Sequence, residues 1–309
     1  MKCTFCGAKA VFRRRHSGVA LCKKCFIKSI ENKVRWTIGK YEMLERSDFT
    51  MLAVSGGKDS VVMMRILHKI EMDFPEAELI AVTIDEGIPE YRDYGLKIAR
   101  KNAEALKIRH EVFSFKEFYG YTLNEIVRMA KRKRIPHHAC TYCGVLRRKI
   151  LNVKGKELGV DKIATAHNLD DEAQTVLMNI VRGDIGRLVR AIALESNRQP
   201  GFIPRIKPMK LIPEAEIALY AYFNGIDFYP IDCPYARTSF RDEFRRFLNE
   251  LEHKHPGVKY SIVSSAEKLV HMIMDRIGQV HLKPCKYCGE PTTQEICRAC
   301  ELLEQLGLL

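Results

Sequence analysis

The chain has 309 residues, with 51 Lys and Arg against 38 Asp and Glu, and a net charge of +13. That length supports one large domain or two ordinary ones with an ample core, and the basic excess points to a polyanionic partner, nucleic acid first. No apolar run approaches the roughly 20 residues of a membrane span, and the chain opens on a cysteine motif rather than an apolar signal segment, so a cytoplasmic protein with no membrane partner is expected.

The eleven cysteines are expected to stay out of disulfides in a reducing compartment, and each falls into one of three sets. Cys3-x-x-Cys6 is followed, after fifteen residues, by Cys22-x-x-Cys25. Two knuckles at this spacing bring four thiolates to one tetrahedral Zn²⁺. Between them Arg13, Arg14, Arg15 and His16 suit either a solvated hairpin tip or phosphate contacts. A helix is predicted from Phe26 to Leu44, with Ile27, Ile30, Val34, Ile38 and Tyr41 at three- and four-residue spacing. The organisation expected is a zinc finger over 1–28, a linker helix over 29–47, a main domain over 48–280 and a zinc ribbon over 281–309.

A strand over 49–54 runs into Ser55-Gly56-Gly57-Lys58-Asp59-Ser60, and an apolar helix follows from Val61 to about Ile70. Strand, tight loop and helix N-terminus together form a phosphate cradle. Glycines let the backbone approach an anion, the serines offer hydroxyls, and Lys58 supplies a point charge. The spacing G-x-x-x-x-G-K-S/T is absent, so this is a different nucleotide loop. A strand over 79–84 ends at Asp85-Glu86-Gly87, a helix follows over 91–106, and a strand over 110–115. This alternation predicts an α/β fold, a parallel sheet flanked by helices, with ligands at the carboxyl ends of the strands.

The run Lys131-Arg132-Lys133-Arg134 suits a phosphate contact or a solvated helix end. Cys140-Thr-Tyr-Cys143-Gly then enters a helix bearing Arg147, Arg148 and Lys149. A fourth strand, 161–166, leads to His167-Asn168-Leu169-Asp170-Asp171-Glu172. Asn168 can cap the next helix, and three carboxylates at a strand end suit Mg²⁺ on nucleotide phosphates. Arg182, Arg187 and Arg190 give a basic face. A proline-rich connection from Pro200 to Pro213 carries Arg205, Lys207 and Lys210. A helix over 214–225 ending at Gly225, a strand over 227–231 delivering Cys233, and amphipathic helices over 238–252 and 260–277 complete the main domain. Cys285-x-x-Cys288-Gly and Cys297-x-x-Cys300 form a second zinc ribbon.

Cys140, Cys143 and Cys233 make the third set. Three thiolates suit an open zinc site, a disulfide-relay pair with a spare thiol, an iron–sulfur site, or a persulfide on Cys143 or Cys233.

Ser-Gly-Gly-Lys-Asp-Ser after a strand resembles the PP-loop of the ATP pyrophosphatases, which cut ATP between its α and β phosphates. His-Asn-x-Asp-Asp resembles a second motif of their tRNA-thiolating members. With the two terminal cysteine sets, Cys-Thr-Tyr-Cys-Gly and Cys-Pro-Tyr, residues 3 to 300 resemble the tRNA 2-thiouridine synthetase family. The resemblance implies an adenine nucleotide α-hydrolase-like domain in which Ala53, Ser55, Gly56, Gly57, Lys58, Asp59, Ser60, Ala166, Asp171 and a basic residue, Arg147 in preference to Arg148 or Lys149, line ATP, with Ile84 near the adenine. Relatives often have Gly at the position of Ala166. It further implies Lys58, Asp171, Cys143 and Cys233 as catalytic residues, a 4Fe–4S cluster on Cys140, Cys143 and Cys233, two Zn²⁺, Mg²⁺, and a homodimer. The activity implied is tRNA-uridine 2-sulfurtransfer: ATP adenylates a uridine C2 oxygen and sulfur then replaces it. The donor is free sulfide or a ubiquitin-like thiocarboxylate carrier. Residues 177–188 resemble the wobble-uridine branch and Leu-Asp-Asp-Glu-Ala-Gln the uridine-54 branch, with the wobble base favoured. Cytidine acceptors, in lysidine or 2-thiocytidine formation, fit the cysteine spacing less well. A zinc- and tRNA-binding module using ATP only as a switch leaves the carboxylates and central cysteines unexplained.

Overall fold

The computed structural model describes residues 1–192, 201–236, 240–274 and 282–309. A hairpin, β1 (Phe12–Arg13) and β2 (Ala20–Leu21), enters α1 (Lys23–Lys40). The helix starts earlier than its apolar spacing suggests because Cys22 is its N-cap, with Sγ accepting from the Cys25 amide at 3.4 Å. The second knuckle and the helix start are one structure.

The alternation expected over 49–115 is present as β3 (Phe49–Ala53), α2 (Lys58–Glu71), β4 (Glu78–Asp85), α3 (Tyr91–Ala105) and β5 (Arg109–Ser114). Helix α2 begins at Lys58, so Lys58, Asp59 and Ser60 form its first turn. Two helices not predicted, α4 (Phe115–Tyr119) and α5 (Leu123–Arg132), each open on a capping box, Ser114 with Glu117 and Thr122 with Glu125. Then come α6 (Ala139–Leu158), β6 (Lys162–Ala164), α7 (Leu169–Val181) and α8 (Ile185–Ile192).

The proline-rich connection contains a short strand, β7 (Arg205–Ile206), and is followed by α9 (Glu214–Asn224), which ends at Gly225 with φ +60°. Prolines are tolerated here because β7 is a two-residue edge strand paired only to β6. The strand expected over 227–231 does not form; its segment lies over the phosphate loop, with the Tyr229 amide donating to the Gly56 carbonyl at 2.9 Å. Helices α10 (Phe240–Lys254) and α11 (Val258–Met274) match the two amphipathic stretches. The expected helix start at Thr238 and end at Ile277, and Pro200, lie outside the described residues. The ribbon is β8 (Lys283–Pro284), β9 (Pro291–Thr292) and α12 (Arg298–Gln305).

The five parallel strands run in the order β5-β4-β3-β6-β7. After β3 the chain winds outward through β4 and β5, then returns to the other side of β3 as β6. The topological switch point, where open α/β sheets bind ligands, therefore lies between β3 and β6. The loops following these strands carry the two motifs singled out in the sequence.

Both faces of the sheet are buried, which accounts for its continuous apolar runs. Leu52, Ala81 and Ala164 point to a cluster with α1, α2 and α9. Met51, Ile80, Val82 and Ile163 point to the other, with α5, α6 and the ribbon residues Cys297, Cys300, Leu302, Leu303 and Leu306. The ribbon thus completes a face of the sheet. Lys133, from the basic run, donates to the Leu306 carbonyl at 2.8 Å and holds the end of α12. Leu302 is fully buried. Leu302→Ala is expected to cost about 3 kcal/mol and, because the core is shared, to lower the global denaturant midpoint rather than fray the ribbon alone.

Candidate active site at the switch point

The loop after β3 is self-bonded. Ser60 Oγ accepts from the Ser55 amide at 3.0 Å and donates to the Gly57 carbonyl at 2.9 Å. Ser55 Oγ accepts from the Gly57 amide at 3.3 Å. Gly56 has φ +85°, and a Cβ there would lie 2.2 Å from the Gly95 carbonyl oxygen of α3. Its glycine requirement therefore comes from helix–loop packing as well as backbone conformation.

Lys58 Nζ lies 3.0 Å from Asp59 Oδ2 and 2.5 Å from Glu214 Oε1 at the start of α9. Burial lowers the Lys58 pKa, but Asp59 and Glu214 outweigh it and hold the ammonium above its usual range. Asp59 Oδ1 accepts from Asn168 Nδ2 at 3.1 Å, so the loop is tied to the second motif. Asn168 caps α7 by accepting from the Asp171 amide at 3.0 Å, while Asp171 Oδ2 accepts from the Asn168 amide at 3.2 Å.

The three carboxylates of this motif separate in the structure. Asp170 pairs with Lys259 and accepts from the Glu214 amide at 2.8 Å. Glu172 pairs with buried Lys207 at 2.9 Å. Asp171, the least buried of the three, has Oδ1 3.7 Å from Arg241 Nη1. Burial raises its carboxyl above the usual range, and Arg241 opposes that. Lys207 and Lys210, read as part of a basic connection, are instead buried in ion pairs with Glu172 and Glu267.

Of the apolar positions expected near nucleotide, Ala53 and Ile84 end adjacent strands and pack toward the ribbon face, whereas Ala166 packs toward α1, α2 and α9. Ile84 is almost wholly covered.

Cys140 and Cys143 sit one turn apart at the start of α6, on the same face. The segment pinned over the loop at Tyr229 brings Cys233 to them. Cys140 Sγ is 3.8 Å from the Tyr235 carbonyl, and Cys143 Sγ is 3.9 Å from Glu86 Oε1. Burial raises all three thiols, Cys143 to about 11. Glu86, only 1 % exposed, also accepts from Arg147 Nη1 at 3.2 Å and forms an ion pair with Arg92, whose Nε lies 2.6 Å from Oε2. Arg92 Nη1 in turn donates to the Ser55 carbonyl at 3.0 Å. One chain of contacts, Ser55–Arg92–Glu86–Cys143, joins the phosphate loop to the cysteine site. Arg147 enters it, whereas Lys149 Nζ lies 3.5 Å from Cys300 Sγ in the ribbon.

Each terminal set of four Sγ atoms falls within 4.8 Å of one another. Cys6–Cys22 at 3.6 Å and Cys288–Cys297 at 3.7 Å are close to the S···S edge of about 3.8 Å that a tetrahedral zinc with 2.3 Å bonds requires. Gly7 and Gly289, at φ +72° and +70°, turn the two first knuckles alike. Both sets fit one ion. Among the described residues the central cysteines form no such close set, yet their charges interact. That wider spacing fits a cluster whose ligands sit on different irons rather than a single ion.

Residues 28–251 match the PP-loop domain family, and residues 2–27 match the N-terminal LIM domain of 2-thiouridine synthetase TtuA. The chain is 37% identical to tRNA 2-thiolation protein NcsA of Haloferax volcanii over 99% of both chains. It is 38% identical to cytoplasmic tRNA 2-thiolation protein 1 of Drosophila melanogaster over 98% of this chain and 87% of that one. A solved structure, the U34-tRNA thiolase NcsA from Methanococcus maripaludis with its 4Fe–4S cluster, superposes with a TM-score of 0.87 at 39% identity, covering 100% of this chain and 97% of that one. The chain belongs to the PP-loop family of tRNA 2-thiolation proteins.

Within this PP-loop site, Glu86, Arg92, Glu214 and Arg241 escaped the sequence reading. Glu86 was legible only as the end of a strand. Arg92 and Glu214 carried no motif at all. Arg241 donates to Gln174 and Thr175 and reaches the site from α10, 70 residues beyond Asp171. No spacing rule connects such positions. No helix among the described residues is long and apolar enough to cross a membrane.

Proposed function

We propose that this protein is a tRNA-uridine 2-sulfurtransferase acting in the cytoplasm on the wobble uridine. The observation that carries the reading is the contact chain Ser55–Arg92–Glu86–Cys143, which links the loop read as a phosphate cradle to the three cysteines. The wobble position is supported by the likeness to a U34-tRNA thiolase at 39% identity.

In this reading the uridine, out of its stack, presents its C2 oxygen to the α phosphate of ATP. An O–P bond forms there as the α–β bond breaks and pyrophosphate leaves. Sulfur then adds at C2 and AMP departs with the former carbonyl oxygen. Ser55, Ser60 and the amides of Gly56 to Ser60 hold the phosphates, and Lys58 exchanges Glu214 for phosphate oxygens, stabilising charge as it develops. Arg147 leans from the cysteine side toward the same anion. Asp171, backed by the Asn168 cap, orients the nucleotide and is placed to hold Mg²⁺ on it. Ala53 and Ile84, near the carboxyl ends of adjacent strands, border the base side, with Ala166 on the opposite face of the sheet.

Cys140, Cys143 and Cys233 would hold a 4Fe–4S cluster, which supplies the soft, sulfur-accepting metal chemistry of the transfer step. Glu86 and Arg92 keep that site in register with the loop. The two Zn²⁺ are structural. The sulfur donor, sulfide or a thiocarboxylate carrier, and a homodimeric state belong to the same reading. Sedimentation equilibrium is expected to give twice the chain mass.

The test is anaerobic incubation of metal-loaded protein with tRNA, ATP and sulfide, followed by nucleoside mass spectrometry. The expected product is 2-thiouridine in the anticodon fragment, with one AMP per sulfur. 2-Thiocytidine or lysidine would replace this assignment, and ATP binding without AMP release would favour the switch reading.

A further inference from the structure

A cavity of about 480 Å³ lies between α6, the end of α8, β7 and the ribbon. Arg148, Arg190, Arg205 and Arg298 line it, with Glu290 the one carboxylate among its described lining residues. Glu290 is already engaged by Asn152 at 2.9 Å and Lys156 at 3.0 Å. Arg298 pairs with Glu301 at 2.6 Å, but among the described residues Arg148, Arg190 and Arg205 form no ion pair. Among the described residues Arg205 Nε is buried without a hydrogen-bond partner, and its Nη2 donates to the Arg148 carbonyl at 3.2 Å. Burial and the neighbouring Arg148 cation push the Arg205 guanidinium down to about 10.

Clustered guanidinium groups with an unused buried N–H, whose one lining carboxylate among the described residues is already engaged by Asn152 and Lys156, make a site that is costly until an anion enters. The walls are held in place beforehand. Asn152 donates to Glu290 of the ribbon and accepts from the Ile203 amide at 3.0 Å, tying both sides of the cleft to α6. Its position gives the anion a meaning. Arg147 faces Glu86 and Cys143, while Arg148, the next residue of the same helix, faces the cleft. At 1.5 Å rise per residue, Cys143 and Arg148 are only about 8 Å apart along the helix axis.

We propose that this cleft between the ribbon and the PP-loop domain seats a backbone phosphate of the RNA next to the uridine undergoing reaction. The inference rests on the tRNA reading above. The ribbon then has a second role: it supplies one wall of the cleft, so the RNA is gripped beside the cysteine site. A phosphodiester suits the site because guanidinium forks bind its two free oxygens in parallel.

The experiment measures tRNA binding by the metal-loaded, full-length protein between about 50 and 200 mM salt, for wild type, Arg190→Gln, Arg205→Gln and Arg205→Lys. Each glutamine variant should weaken binding about tenfold and reduce the slope of log K against log salt by about 1. ATP affinity and zinc content should stay at wild-type values, and Arg205→Lys should retain most of the slope. An unchanged slope in both glutamine variants overturns the proposal. So does calorimetric binding of inorganic pyrophosphate that Arg190→Gln abolishes while the tRNA slope is kept, because the cleft would then serve a free anion. If Arg205→Gln fails to fold, exposed Arg190 carries the test alone. Thiolation by wild type with no slope change sinks only the cleft. A slope change in a protein that makes no thiouridine sinks only the thiolation reading.

Discussion

Cys143→Ser is expected to cut 2-thiouridine formation below about one thousandth of wild type while ATP affinity changes by less than about threefold. The residue is a good choice because its sulfur touches Glu86 rather than the loop, so nucleotide contacts survive its loss. A serine hydroxyl fills the same space but is a hard donor, ill suited to iron where a thiolate is soft. The readout separates the two half-reactions: thiouridine by mass spectrometry, and AMP and pyrophosphate release by chromatography. Thiolation at more than half the wild-type rate would remove Cys143 from the sulfur chemistry. Loss of ATP binding together with thiolation would mean that the site is structural. The same pattern is expected for Cys233→Ser, whose segment is pinned to the loop through the Tyr229 amide instead of through its sulfur.

Lys58→Met should lower the adenylation rate about a thousandfold, the usual scale for removing one preorganised charge from a developing anion. Tight tRNA binding should persist, since the arginine cleft lies elsewhere. The ammonium is charged across the whole working range because Asp59 and Glu214, together outweighing burial, hold its pKa above the usual value. No loss of activity near neutral pH should therefore trace to it. The variant leaves Glu214 without its 2.5 Å partner, so a modest fall in thermal stability is expected alongside. Glu214→Gln separates these effects: it releases Lys58 without removing the charge, and adenylation should stay within about tenfold of wild type. A Lys58→Met enzyme that still releases AMP at a tenth of the wild-type rate would refute the assignment of that charge.

Much of this architecture was legible because it depends on local rules. Alternation of apolar runs with helical spacing marks β3, β4, β5 and β6 and the helices α2 and α3, since each must bury a face, whereas α4 and α5 went unread. Thiolate spacing marks both terminal sets, since a tetrahedral ion accepts little else. Strand β7 was hidden by the prolines around it. The strand expected over 227–231 does not form: Asp227, Pro230 and Ile231 are exposed, and the Tyr229 amide is turned to the loop instead of to a sheet edge.

The motif Asp170-Asp171-Glu172 shows where local reading stops. By local spacing the three carboxylates are equivalent, only the family resemblance picking out Asp171, and all sit in the first turn of a helix that favours them. Their fates are decided by lysines 35 and 89 residues away, Lys207 taking Glu172 and Lys259 taking Asp170, which leaves Asp171 to Arg241 and, through the Asn168 cap, linked to Asp59 of the loop. The run Arg147-Arg148-Lys149 behaves alike. Successive residues on a helix are about 100° apart, so one reaches the cysteine site, one the cleft and one the zinc ribbon.

The sequence alone determined the chemistry available: a phosphate cradle, two closed zinc sites, three further thiols and an excess of positive charge. Those depend on residue type and short spacing, which the chain carries along its length. Only the tertiary structure decided which members of each set meet. Glu86 and Arg92 became the bridge between loop and cysteines because parallel strands deliver their ends to one edge and because a buried carboxylate must find its cations wherever the fold places them.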